Sequence, residues 1–305
     1  MIEKNKIKIC AVIVTYNRKK ELSLNLKQLK LQTYPFDKII IIDNHGNDDT
    51  LEYLKKIDLY DDSIEYIYLD ENIGGAGGFS YGLKVAYEKG YGWIYLMDDD
   101  GRPYNENTLA NITEYINKNE FDFNDKYFLN SLVTCDGERL SFTICGKDYI
   151  NELSPKNGVI AGDANPFNGT MLSKGLVKNI GLPNSDFFIK GDEVDYLLRA
   201  QKNGAKILTI CDSLYYHPTP FKEKRKRFVF WRMYFFVESP WKEYYSMRNR
   251  TYSLIQNGEK KKIFMNYIKR RIVAFKCHSS KDVIKMIKKG YKDGKNGKLG
   301  ATIKP

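Results

Sequence analysis

A chain of 305 residues, 42% of them hydrophobic, is long enough to bury a full core and carry an appendage. It shows no uncharged apolar run of transmembrane length and no signal-peptide core, so a soluble or peripheral protein is expected. The net charge of +11 is unevenly spread: residues 221–305 hold 24 Lys and Arg against 6 Asp and Glu, a net of +18, while the first 220 residues hold 25 against 32, a net of −7. This argues against a protein coated throughout in nucleic acid and for a tail that meets an anionic surface, phospholipid or nucleic acid.

In chain order, KIKICAVIVTYN reads as a buried strand rich in β-branched residues. ELSLNLKQLKLQ carries Leu22, Leu26 and Leu29 at helical spacing, and DKIIIIDN is a second strand. DDTLEYLKKI predicts a helix, SIEYIYLDEN a third strand, FSYGLKVAYEKG a helix and YGWIYLMDDD a fourth strand. Such alternation means a mostly parallel sheet with helical crossovers. From Asn105 to Asn168 one helix mixes with less regular strands. GDEVDYLLRAQKNG opens a later helix with acidic residues and closes it in Gly204, and AKILTICDSLYYHP is a further strand ending at His217. Beyond Pro220 the composition turns basic and aromatic, which places a boundary there: 1–220 as a catalytic domain and 221–305 as a mainly helical extension. The five cysteines, Cys10, Cys135, Cys145, Cys211 and Cys277, are scattered without metal-ligand spacing and read as reduced cytoplasmic thiols.

The chemistry gathers at strand ends. Asp98-Asp99-Asp100 closes an apolar strand and puts hard oxygen ligands at the carboxyl edge of a sheet, where a divalent cation fits; an acidic turn is the plainer reading. Thr15 to Arg18 and Asp43-Asn44 end two other strands in groups suited to a nucleotide. The run Asn72 to Phe79 carries four glycines that let backbone approach a ligand and that open a helix. It is not the dinucleotide fingerprint, since Ser80 falls where the last glycine belongs, and no P-loop occurs. Asp192-Glu193, with Asp195, can supply a general base or simply complement a helix N-terminus. His217 can complete a metal site, whereas His45 and His278 have no such setting.

Together VIVTYNR, IIDN with DDT, NIGGAGGF, MDDD, FNGTML, FFIKGDEVDYLLRA, His217 and YYSMRN resemble the family 2 inverting glycosyltransferases of the GT-A fold over about residues 8 to 250. The combination of NIGGAGGF with DDD is most similar to the galactofuranosyltransferase branch, with rhamnosyltransferases close behind. The resemblance implies nucleotide-sugar contacts from Thr15, Arg18, Asp43, Asn72, Gly75, Gly77, Asp98 and Asp99. It implies Mn2+ or Mg2+ on Asp98, Asp100 and His217. The general base is Glu193 when the family's acidic motif is matched position by position; Asp192 is the alternative, because the two acids stand in swapped order here.

That reading expects a cation to neutralise a leaving diphosphate while a carboxylate deprotonates the acceptor on the opposite face of the sugar. The expected donor is UDP-galactofuranose, with dTDP-rhamnose as alternative, and the acceptor a lipid-linked bacterial surface glycan at the inner face of the plasma membrane. KEKRKR, Lys222 to Arg227, precedes an aromatic segment in which Phe228, Trp231 and Phe235 fall on one helical stripe, a pairing suited to an anionic membrane surface. A sugar nucleotidyltransferase would carry an N-terminal glycine-rich loop that VIVTYNRKK lacks. A nucleic-acid-binding protein would leave DDD, GGAGGF and GDEVD unexplained, so nucleic acid is not expected as a partner.

Overall fold

The computed structural model describes residues 7–219, 226–228, 231–233 and 236–303. The chain divides into two compact units. One comprises residues 1–72, 78–182 and 199–219; the other comprises 73–77, 183–198 and 220–305.

The first unit is built on a single large sheet. Its elements begin with β1 (Ile9–Thr15), α1 (Lys19–Lys30), β2 (Lys38–Asp43), α2 (Thr50–Lys56), β3 (Ile64–Tyr68), α3 (Gly74–Glu88) and β4 (Trp93–Asp98). There follow β5 (Arg102–Pro103), α4 (Thr108–Lys118), β6 (Tyr127–Thr134), β7 (Arg139–Ile144), β8 (Lys147–Tyr149), β9 (Val159–Ala161), β10 (Asn168–Ser173), α5 (Lys174–Ile180), α6 (Asp192–Lys202), whose residues 192–198 belong to the second unit, and β11 (Lys206–Tyr216). The strand order is β3-β2-β1-β4-β10-β6-β11-β5.

Strands β3, β2, β1 and β4 are all parallel, as the alternating pattern of the first hundred residues requires. All seven residues of β1 are buried, which is why its sequence is a continuous apolar run and not an alternating one. Leu22, Leu26 and Leu29 of α1 are buried in the same core, each worth about 1.5–3 kcal/mol on leaving water. Beyond β4 the sheet becomes mixed: β10 runs antiparallel to both β4 and β6, while β11 pairs parallel with β6.

Helix α3 starts at Gly74 and not at Phe79, so the glycine run is its first turn and not a loop before it. A Cβ at Gly78 would lie 2.6 Å from Cγ1 of Val14, and one at Gly82 would lie 2.5 Å from Cγ1 of Val12. These two glycines let α3 sit down on β1.

In the second unit the chain continues through β12 (Lys226–Phe228), β13 (Trp231–Met233), α7 (Pro240–Gln256), α8 (Lys260–Lys276) and α9 (Lys281–Lys295). Gly290 and Gly294, one turn apart, bring α9 against α7: a Cβ at Gly290 would meet the Tyr244 carbonyl at 2.4 Å, and one at Gly294 the Arg248 carbonyl at 2.3 Å. The extension is thus mainly helical, but not where the aromatic stripe was expected. Residues 226–228 and 231–233 form an antiparallel two-stranded ribbon in which Phe228 pairs with Trp231, so the helical stripe through Phe228 and Trp231 does not exist. A run dense in aromatic residues suits a strand as well as a helix. Phe235 and residues 222–225 of the basic run lie outside the described residues.

Candidate active site

Strand β4 ends at Asp98, and the turn that follows carries Asp99 and Asp100 before Gly101. Strand β11 ends at Tyr216, immediately before His217. Asp98, Asp100 and His217 converge so that one ligand atom from each lies within 4.8 Å of the others. His217 Nε2 is 3.4 Å from Asp100 Oδ1, and its Nδ1 lies 2.7 Å from the Pro218 carbonyl. A carbonyl oxygen can only accept, so Nδ1 carries the proton and Nε2 presents its lone pair in the neutral ring, the tautomer of a metal-binding histidine.

Charge in this cluster is balanced from the end of β1. Arg18 donates from Nη1 to Asp100 Oδ2 at 2.7 Å and to Asp99 Oδ1 at 3.3 Å, and Thr15 Oγ1 donates to Asp99 Oδ2 at 2.9 Å. Burial pushes the Asp99 carboxyl up to about 6 despite the attraction of Arg18. Burial also pushes Asp100 up, but His217 and Arg18 more than offset it and hold its carboxyl below the usual range. For His217, burial lowers the imidazole pKa, while Asp100, Asp98 and the Pro218 carbonyl outweigh burial and raise it. A proton and a cation therefore compete for Nε2. Two carboxylates and one imidazole make an oxygen-rich donor set suited to Mn2+ or Mg2+.

Among the described residues, the buried Tyr215 hydroxyl on β11 and Asn168 Oδ1 on β10, two strands separated by β6, are among the polar atoms with no hydrogen-bond partner. Asn168 stands opposite Met97 in the β10–β4 register, and Gly101 makes room for the Tyr215 hydroxyl, which would lie 2.5 Å from a Cβ there. Both residues sit in segments the sequence points to, FNGTML and the strand before His217, but nothing in a periodicity distinguishes them.

Thr15, Arg18, Asp98 and Asp99 thus join the cluster. Asp43 sits apart from it in its bonding. It is buried, with Oδ1 accepting from the Gly46 amide at 2.7 Å and Oδ2 accepting from the Tyr66 hydroxyl, so its carboxylate shapes the turn after β2. Asn72 Oδ1 accepts from Asn44 Nδ2 at 3.1 Å. Gly77 faces the Ile73 side chain, with 2.8 Å from a hypothetical Cβ to Cγ1, whereas a Cβ at Gly75 would meet nothing within 4 Å. Of the four glycines in the run, Gly75 alone borders open space.

In the second unit, Asp192, Glu193 and Asp195 occupy the first turn of α6, complementing its dipole. Glu193 is half-buried and its Oε2 accepts from the Gly191 amide at 2.9 Å. Asp192 and Asp195 are buried, and Asp195 Oδ1 accepts from Ser253 Oγ at 2.8 Å. The preceding loop is bent: Phe188 and Lys190 have φ of 63° and 68°, and Gly191 has φ of 88°. Positive φ at two residues other than glycine persists only where surroundings impose it.

The imposing residues are Arg248 and Asn249 of α7, at the end of the YYSMRN run, and no motif chemistry in the sequence marks either one. Arg248 Nη2 donates to the carbonyls of Asp186 (3.1 Å) and Phe187 (3.0 Å), and Nη1 to that of Gly300 (2.6 Å). Asn249 Nδ2 lies 3.0, 2.9 and 2.7 Å from the carbonyls of Phe187, Ile189 and Lys190. Arg248 is wholly buried, and this desolvation lowers its pKa, with the nearby Tyr244 acting in the opposite direction.

Carboxylates and an imidazole at the carboxyl ends of parallel strands, beside an arginine, make a cluster with the chemistry to hold a cation and a phosphate group. Residues 10–126 match the family described as Glycosyl transferase family 2. The chain is 30% identical over 273 residues to galactofuranosyltransferase GlfT1 of Mycobacterium tuberculosis, covering 86% of each chain. It is 26% identical over 257 residues to dTDP-rhamnosyl transferase RfbF of Shigella flexneri, covering 82% of this chain and 80% of that one. The chain belongs to glycosyl transferase family 2 and is a glycosyltransferase.

Its fold is similar to that of S. aureus TarS 1-349, with a TM-score of 0.58 at 17% identity over 94% of this chain and 80% of that one; of the longer TarS chain it spans 43%. The mannosyltransferase PcManGT of Pyrobaculum calidifontis, solved with GDP-Man and Mn2+, gives a TM-score of 0.54 at 14% identity, covering 95% of this chain and 74% of that one.

Proposed function

We propose that this glycosyltransferase inverts the sugar it moves, depends on Mn2+ or Mg2+, and carries galactofuranose from UDP-galactofuranose to a lipid-linked bacterial surface glycan at the inner face of the plasma membrane. The observation that carries the donor is the 30% identity to GlfT1 across 86% of both chains. Asp98, Asp100 and His217 hold the cation, which when bound supplies positive charge against the leaving diphosphate. Arg18, half exposed beside Asp99 and Asp100, binds phosphate oxygens from the other side. Glu193, the more accessible of the acidic pair, accepts the proton of the acceptor hydroxyl, with Asp192 as the alternative. Thr15, Asp43, Asn72 and the backbone at Gly75 and Gly77 complete the nucleotide-sugar contacts, and residues 221–305 serve the acceptor and the membrane.

A second reading, rhamnosyl transfer from dTDP-rhamnose, is favoured by the 26% identity to RfbF. The two part in one experiment. The purified protein is given Mn2+, a lipid-linked glycan acceptor, and either UDP-galactofuranose generated in situ or dTDP-rhamnose. Product from the first alone supports galactofuranosyl transfer; product from the second alone transfers the assignment to rhamnose.

A further inference from the structure

Helix α8, KKKIFMNYIKRRIVAFK, contains five Lys, two Arg and no acidic residue in 17 positions. One side faces inward: Ile263, Val273 and Ala274 are buried, and Arg270 Nε donates to Glu243 Oε2 at 2.6 Å. The other side is exposed and apolar along its middle, with Phe264 62%, Met265 43% and Phe275 73% accessible. At 100° per residue, Phe264 and Phe275 lie about 20° apart on one line and about 16 Å apart along the axis. Lys260 and Arg271 lie on one side of that line and Lys261 on the other, between Phe275 and Met265, all three exposed, so the six side chains share about 140° of the helix circumference.

Large aromatic residues left in water among cations alone have few suitable partners. A second copy of the same face would bring like charges together. A soluble acidic protein would meet the cations but gain less from two phenylalanines set apart along a convex helix. An anionic phospholipid surface satisfies both, since its headgroup layer takes the rings and its phosphates take the cations.

We infer that α8 is the face by which this protein docks on anionic membrane, with Phe264 and Phe275 entering the headgroup layer and Lys260, Lys261 and Arg271 meeting lipid phosphate. The inference deepens the lipid-linked acceptor reading and moves the contact from Phe228, Trp231 and Phe235 to α8. No helix among the described residues is long and apolar enough to cross a membrane, so this face acts by lying on the surface.

The test is co-sedimentation of the full chain with vesicles of phosphatidylcholine alone or mixed with phosphatidylglycerol, without any sugar donor, so the outcome does not depend on the glycosyl-transfer reading. The protein should bind the mixed vesicles, ignore the neutral ones and release as salt rises. A variant combining Phe264→Ser and Phe275→Ser should bind at least about tenfold more weakly, and Lys260→Glu with Lys261→Glu should do the same. Both sets are exposed, so the variants should keep the wild-type melting temperature. Failure of the wild type to bind the mixed vesicles overturns the inference, as does undiminished binding by the serine variant. So does a wild-type dimer that the serine variant turns into a monomer in size-exclusion chromatography, which would make α8 a self-association face.

Discussion

Nε2 of His217 lies 3.4 Å from Oδ1 of Asp100, and the opposite ring nitrogen is committed to the Pro218 carbonyl. The ring is therefore oriented before any ligand arrives, with Nε2 facing the Asp100 carboxylate. Asp100→Ala and His217→Ala should each lower metal affinity by more than about 100-fold, beyond the loss of an outer partner. Mn2+ titration calorimetry reads this directly, and turnover should fall in parallel. Full activity in chelator would remove the metal from the reaction.

The acidic pair at the start of α6 separates by accessibility, since Glu193 is half-buried and Asp192 buried. Glu193→Gln keeps the shape but cannot accept a proton, so kcat should drop by about 10²–10⁴ while UDP still binds. Asp192→Asn should leave more activity. The reverse ranking would make Asp192 the base.

Arg248 holds the bent loop ahead of that pair through carbonyls, which a point charge on a flexible stem cannot reproduce. Arg248→Lys should cost about 2–4 kcal/mol of stability by leaving buried carbonyls unmet. Hydrogen exchange should quicken in residues 185–191 ahead of the rest of the chain, and kcat should fall more than donor KM rises. Uniform quickening across all helices would instead mean that Arg248 serves global stability alone.

Asp99 gives a pH signature. Its carboxyl titrates near 6 in the folded protein because burial outweighs Arg18, whereas unfolded aspartate titrates near 4. The native state thus holds the extra proton between these values, so stability falls as pH rises through that window and levels off above it. The total is about 3 kcal/mol. In chelator, Asp99→Asn should remove that fall, so urea midpoints of variant and wild type should diverge in the variant's favour from pH 4 to 7. Parallel profiles would mean that Asp99 is ionised throughout.

How much of this was legible in the sequence follows from the range of the forces involved. The runs ICAVIVT, KIIIID and WIYLMD are buried on both faces, so their continuous apolarity announces central strands. The juxtaposition of Asp98, Asp100 and His217 follows once each is placed at a strand end. The ribbon of 226–228 and 231–233 departs from the expected helical stripe because aromatic spacing over so few residues fits more than one period. The work of Arg248 and Asn249 lies in hydrogen bonds to main-chain carbonyls about 60 residues away in the chain, which no local pattern records. The start of α3 was placed late because glycine has low helix propensity, and packing against β1 overrides it.

That override makes the glycine run divisible by experiment. Gly78 is bound by packing: its Cβ would lie 2.6 Å from Cγ1 of Val14, a β-branched residue fixed in a central strand. Gly78→Ala should therefore cost about 1–3 kcal/mol. Gly75 has no atom within 4 Å of its Cβ position and no positive φ, so by structure alone alanine there should stabilise the helix by about 0.5–1 kcal/mol. If the donor lies against this backbone, the same methyl must collide with it. Gly75→Ala should then melt higher than wild type yet raise donor KM by about tenfold, equivalent to about 1.4 kcal/mol of lost binding. Higher stability with an unchanged KM would place the donor elsewhere and leave the open face of α3 without a part in sugar binding.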